Sequence, residues 1–183
     1  MTRRYWAALA FTVYAGAIIL SNWLITHVGI PAGPAHLTPV GFSLYAPSGV
    51  WAAAATFPAR DITQRLGGRW LGIAAIIAGA VISWKISDPR IAVASGLTYL
   101  CSESADFAVY TPLQRRWFVP AVVISGLIAA VVDSLLFLRL AGIPMTATIV
   151  GGLILGKVWV QLAAGPIAWG LRRAGPVAMA APA

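Results

Sequence analysis

Residues Trp117–Arg139 read WFVPAVVISGLIAAVVDSLLFLR, an apolar run with one ionisable side chain, Asp133, between its ends. As a helix rising 1.5 Å per residue it would extend about 35 Å, enough to cross the roughly 30 Å hydrocarbon layer of a bilayer. Similar runs on either side, separated by polar or Pro/Gly punctuation, predict further spans at about 5–26, 40–59, 70–87, 91–111 and 145–171. Pro47 and Pro58 interrupt the second of these, which therefore reads as a broken helix.

Composition agrees. The chain is 60% hydrophobic and 10% charged, with a mean hydropathy of +0.83; a soluble domain is typically about 25% charged. The expected fold is all-α: an integral membrane bundle of six transmembrane helices forming one domain over 1–175, followed by a flexible Ala/Pro-rich tail at 176–183. The opening Thr2-Arg3-Arg4 before an apolar run resembles an export signal, but the run is long and no small-residue cleavage site follows it, so it reads as a retained first helix.

The net charge of +8 does not point to nucleic acid, because the basic residues fall in short connections and not on a basic-aromatic surface. Arg3, Arg4, Arg60, Arg65, Arg69, Arg115, Arg116, Arg172 and Arg173 group on one side of the expected bundle, against Lys85, Arg90 and Arg139 on the other. The positive-inside rule then puts both termini in the cytoplasm. The connection containing Pro31, Pro34, His36 and Pro39 has no lysine or arginine, as an outer loop should. Cys101 is the only cysteine, and with His27 and His36 it makes no recognisable zinc set, so no metal or cofactor is expected.

Of five acidic residues only Asp88 sits in a loop. A charge at a helix centre costs about 2.5–3.5 kcal/mol on insertion scales, so Glu103, Asp106 and Asp133 should have partners or a function. Tyr99, Glu103, Asp106 and Tyr110 follow at steps of four, three and four and share one helical stripe, a setting suited to a planar hydrogen-bonding ligand. The alternative is that these acids only pair with a cation such as Lys157 to hold helices together. Lys157 and Gln161 form a second polar pair on the sixth span; Lys157, the one basic residue deep in an apolar run, either neutralises a carboxylate or contacts substrate. Asn22 either reads a ligand edge or bonds across helices. Arg60, Asp61 and Arg65 are placed at the inner end of the second span, as a gate latch or a topology-setting ion pair. Gly72 with Gly79 and Gly152 with Gly156 mark close helix packing.

No phosphate-binding loop, zinc helix or nucleophile elbow is present, so an enzyme is not expected, although Asp106 and Asp133 leave an intramembrane hydrolase conceivable.

Several motifs resemble the queuosine-precursor transporters of the vitamin-uptake type. They are Ser-Asn at 21–22, Arg-Asp-Ile-Thr-Gln-Arg-Leu-Gly-Gly at 60–68, Arg-Ile-Ala-Val-Ala-Ser at 90–95 leading to Ser-Glu-Ser-Ala-Asp at 102–106, Ser125 with Val-Asp-Ser at 132–134, and Gly-Lys-Val at 156–158. The resemblance runs in order from about Ser21 to Leu171. It implies a carrier in the cytoplasmic membrane for 7-deazapurines such as 7-cyano-7-deazaguanine, with Asn22, Asp61, Arg65, Glu103, Asp106, Asp133 and Lys157 at matching positions. The substrate-binding set expected is Asn22, Tyr99, Glu103, Asp106, Asp133, Lys157 and Gln161; the partners are the base and the bilayer, with a homodimer left open. The rival is a substrate-binding subunit served by a separate ATP-driven module, which would carry alanines four apart on the first helix; Ala7, Ala8, Ala10, Ala15 and Ala17 contain no such pair.

Overall fold

The computed structural model describes residues 3–89 and 91–173; Arg90, counted above with the outer basic residues, and the tail at 176–183 lie outside the described residues. In chain order the elements are α1 Arg3–His27, β1 Ile30–Ala32, β2 Ala35–Gly41, β3 Leu44–Pro47, α2 Val50–Gly67, α3 Arg69–Ile86, α4 Ala92–Leu113, α5 Phe118–Leu140 and α6 Ala147–Arg173. Four of the helices, α1, α3, α5 and α6, are long and apolar enough to cross a membrane. Their outward faces expose Val13, Ile19, Ile77, Val81, Ile124, Ile128, Leu162 and Ile167. An apolar exterior on this scale is a liability in water and costs nothing against lipid tails.

The bundle is polar at its centre. Helix α2 packs against α1, α3, α4, α5 and α6, and it is the least apolar of the six. It buries Thr56, Arg60, Asp61, Thr63 and Gln64. A helix with this content cannot face hydrocarbon, where each unpaired polar group costs several kcal/mol, so the other helices enclose it.

Two expectations are corrected here. The fold is not purely α-helical: β1, β2 and β3 form a three-stranded antiparallel sheet in that order, with Ile30 opposite Leu37 and Thr38 opposite Ala46. The second span was expected at 40–59, but residues 40–47 belong largely to the sheet and the helix begins at Val50. The physical reason lies in the turn and the prolines. Phe42 and Ser43 both adopt positive φ, of 53° and 59°, which reverses the chain tightly between β2 and β3. Pro47 stands at the edge of the sheet, where its missing N–H leaves no ladder bond unmade. Pro39 sits in the central strand beside a register irregularity between Pro39 and Gly41. Part of this stretch faces protein: Ala35, Val40 and Ala46 join Ile25, Val50, Ile91, Leu138, Ile143 and Leu153 in one core, while Phe42 at the turn and Tyr45 are exposed. Helix α2 then runs unbroken through Pro58 to Gly67 and turns into α3 at Gly68, whose φ is 88°.

The sheet is pinned to the bundle on two sides. The Ser48 hydroxyl donates to the Leu24 carbonyl at 2.6 Å, and His36 Nδ1 lies 3.3 Å from the Ile25 carbonyl oxygen, both near the end of α1. On α6 the contact passes over Gly152, where a Cβ would overlap the backbone of Tyr45. Neighbouring Gly151 has ordinary clearance, at 3.6 Å from the Leu44 side chain. Substituting Gly152→Ala should therefore cost about 1–3 kcal/mol through overpacking against a backbone that cannot yield, while Gly151→Ala should be near neutral. Thermal melts of the two variants in the same detergent check this; equal melting temperatures would show that the sheet does not seat on Gly152.

Candidate functional site

Two polar constellations lie inside the apolar shell. The first centres on Arg60, at the middle of α2. Its Nε donates to Glu103 Oε2 at 3.0 Å, its Nη1 donates to Gln64 Oε1 at 2.7 Å, and its Nη2 engages Asp106 Oδ2. Asp61 Oδ1 lies 3.0 Å from Nη1. The four charged side chains are wholly buried. The rings of Phe107 and Tyr110 flank the guanidinium at 5.7 and 5.5 Å. The Tyr110 hydroxyl donates to the Asp61 carbonyl at 3.0 Å, the Gln64 amide donates to Thr111 Oγ1 at 3.0 Å, and Ser125 Oγ approaches Asp61 Oδ2 at 3.4 Å. Planar guanidinium forks suit this task because several carboxylates can each take a different N–H.

The second constellation links α4, α5 and α6. The Lys157 ammonium donates to Asp133 Oδ2 and, at 3.2 Å, to Ser134 Oγ; Ser102 Oγ donates to Asp133 Oδ1 at 3.2 Å. Lys157 is 1% exposed and Asp133 17%, so the carboxylate alone keeps an open side. That side faces a cavity of about 70 Å³ whose wall includes Ser21, Asn22, Thr56, Ser83, Ser95, Thr98, Tyr99, Asp133 and Lys157. Pro47 and Gly49, just after the sheet, help to close it. The hydroxyls of Thr98 and Tyr99 are buried without a hydrogen-bond partner, unlike nearly all buried polar groups in folded proteins. The cavity thus offers a cation, a carboxylate and spare hydroxyls in an otherwise apolar bundle.

The residues singled out from sequence divide between these constellations. Asn22, Tyr99, Asp133 and Lys157 line the cavity. The Asn22 amide also ties the end of α1 to that of α3, its Oδ1 accepting from Ser87 Oγ at 2.5 Å while its Nδ2 donates back to the Ile18 carbonyl of its own helix at 2.9 Å. Glu103 and Asp106 share a stripe with Tyr99 and Tyr110 but turn to Arg60, and Lys157 takes Asp133 instead of either. Gln161 does not line the cavity; its Nε2 donates to the Ala54 carbonyl at 3.0 Å, tying α6 to α2. Arg60 and Asp61 are not at the inner end of a span but at the bundle centre, because α2 starts and ends about ten residues later than expected. Lys157 is accordingly not the one buried cation. Arg65 does lie near the end of α2, donating from Nη1 to the Gln114 carbonyl at 3.2 Å and stacking on Phe118 at 5.5 Å. The structure adds Gln64, Thr98, Ser102 and Tyr14, the last fully buried and donating to the Ala75 carbonyl at 2.8 Å. Gln64 follows Arg60 by four residues, a helical pairing legible once the helix is known to continue past Pro58.

Residues 85–170, a little under half of the chain, match the family model described as "Putative vitamin uptake transporter". The matched region runs from the end of α3 to near the end of α6 and contains Glu103, Asp106, Asp133 and Lys157. No curated protein and no solved structure matches the chain. The matched part of the chain is thus similar to a transporter family, and four of the chain's helices are long and apolar enough to cross a bilayer, as in a multi-pass membrane protein.

The ion pairs can be weighed by mutation. Removing one partner of a buried pair costs about 3–5 kcal/mol, whereas replacing both with apolar groups of similar volume is often close to neutral. Arg60→Met should consequently abolish a cooperative melt or lower it steeply. Lys157→Met should lower it less when combined with Asp133→Leu than alone. A double-mutant cycle by thermal unfolding reads the difference, and strict additivity would show that the Lys157–Asp133 contact does not act as a pair.

Proposed function

We propose that this vitamin-uptake-type chain imports a queuosine precursor, 7-cyano-7-deazaguanine or a related 7-deazapurine, across the cytoplasmic membrane. The observation that supports it most is the polar cavity enclosed by apolar helices, with Asn22, Tyr99, Asp133 and Lys157 on its wall. A deazaguanine presents a carbonyl acceptor beside ring N–H and amino donors. Lys157 supplies a donor for the carbonyl and Asp133 an acceptor for the N–H and amino groups. Parting the Lys157–Asp133 pair around such a base leaves neither charge unpaired, which keeps the cost of opening it low. The unpartnered hydroxyls of Thr98 and Tyr99 gain partners at the same time.

At about 70 Å³ the cavity is well below the roughly 300–1,000 Å³ usual for ligand sites, so the helices must part to admit a base. The sheet covers the cavity at the end bearing Pro47 and Gly49, and the Arg60 cluster fills the bundle toward the opposite, arginine-rich end. In this reading all six helices span the bilayer, both termini are cytoplasmic, the sheet lies outside, and import alternates between lifting the sheet side and loosening the Arg60 side. Glu103, Asp106 and Asp61 then serve as the inner ionic lock, and Asp133 and Lys157 make first contact with the base.

The test is uptake by the purified protein alone in proteoliposomes, together with restoration of queuosine in the tRNA of a strain lacking precursor uptake. Asp133→Asn should lower uptake about 10- to 100-fold, the worth of one charge-assisted hydrogen bond, at unchanged membrane abundance. Full membrane expression without restored queuosine would sink the substrate. Uptake that appears only with an ATP-driven partner would instead make the chain a binding subunit.

A further inference from the structure

A second groove lies apart from the polar cavity and shares no lining residue with it. At the arginine-rich end the start of α1 and the α2–α3 turn leave a groove of about 640 Å³ between them. Its walls are apolar, formed by Ala7, Ala8, Phe11, Leu66 and Leu71, and Arg3 and Arg4 stand at its end. Arg3 is fixed there by its Nε, which donates to the Leu66 carbonyl at 2.6 Å.

Among the described residues, positive charge accumulates around this point without an acid paired to it. The guanidinium groups of Arg3 and Arg172 both act on that of Arg65, from the ends of three different helices. Arg65 Nε is buried without a partner, and Gln114, 1% exposed, has neither side-chain polar atom bonded. Asp61, one turn back along α2, is held by Arg60. Among the described residues Arg3, Arg4, Arg65 and Arg172 have no carboxylate partner. Like charges gathered without a counter-charge raise the local potential for an anion.

We propose that this groove binds an anionic phospholipid, its phosphodiester on Arg3 and Arg4 and an acyl chain along Phe11 and Leu71. Charge complementarity selects the headgroup, since a zwitterionic lipid would leave the arginine excess uncompensated. The apolar walls select a lipid over free phosphate. The bound lipid bridges α1 to the α2–α3 turn and so braces the inner end of the bundle. Nothing in this inference depends on which base is transported.

The full-length protein in neutral detergent, melted with added phosphatidylglycerol, phosphatidylcholine or inorganic phosphate, tests it. Phosphatidylglycerol should raise the melting temperature by at least about 5 °C, with little effect from the other two. Arg3→Gln with Arg4→Gln should abolish that shift by removing the charge, and Ala8→Trp should abolish it by filling the groove with the arginines intact. An equal shift from phosphatidylcholine would overturn the charge selection, and an equal shift from phosphate would reduce the site to a simple anion site. A phosphatidylglycerol shift that survives Ala8→Trp would remove the lipid from this groove.

Discussion

The structure depends on the guanidinium of Arg60 being surrounded by Asp61, Glu103 and Asp106 inside a bundle whose exterior is apolar. A single buried ion would be prohibitively costly in such a medium, and only close pairing with further hydrogen bonds makes the arrangement tolerable. That requirement sets the position of α2 relative to α4, because Arg60 reaches Glu103 and Asp106 only when the two helices lie in register. It also places α2 at the centre, since no helix carrying Arg60, Asp61 and Gln64 could face lipid. The remaining helices are arranged around that fact.

The second ion pair obeys the same physics with a different result. Lys157 is as enclosed as Arg60, but Asp133 keeps a partly open side, and that side faces the cavity. A wholly enclosed cluster with several mutual contacts resists opening; a pair with one open edge can exchange its partner for a ligand. The two are mechanically joined on α4, where Ser102 binds Asp133 and the next residue, Glu103, binds Arg60. A shift of α4 therefore strains both at once, which is the kind of packed, discrete element through which sites couple.

The three-stranded sheet solves a separate problem. A loop covering the cavity would expose backbone N–H and C=O groups near hydrocarbon, whereas an antiparallel sheet pairs them internally. Its buried residues Ala35, Val40 and Ala46 bring it onto the helix ends, and Gly152 and Gly49 allow its backbone and that of α2 to approach α6 and α1 closely.

Local composition was sufficient to determine that this chain belongs in a bilayer, and to locate α1, α3, α4, α5 and α6 within two residues of their observed ends. It also marked Asn22, Tyr99, Asp133 and Lys157, because ionisable and amide groups in apolar runs stand out without any knowledge of neighbours. Hydropathy could not distinguish residues 40–47, where Val40, Leu44 and Ala46 are apolar because they pack on protein, from a segment apolar because it meets lipid. Hydropathy alone therefore starts the second helix too early and places Arg60 at its end, whereas α2 begins at Val50 and buries Arg60 near its middle. Only the tertiary structure decided which cation each buried acid takes, Arg60 for Glu103 and Asp106 and Lys157 for Asp133. Pairing is a contact between residues distant in the chain, and spacing along one helix reports only the face on which a charge lies, not what stands opposite it.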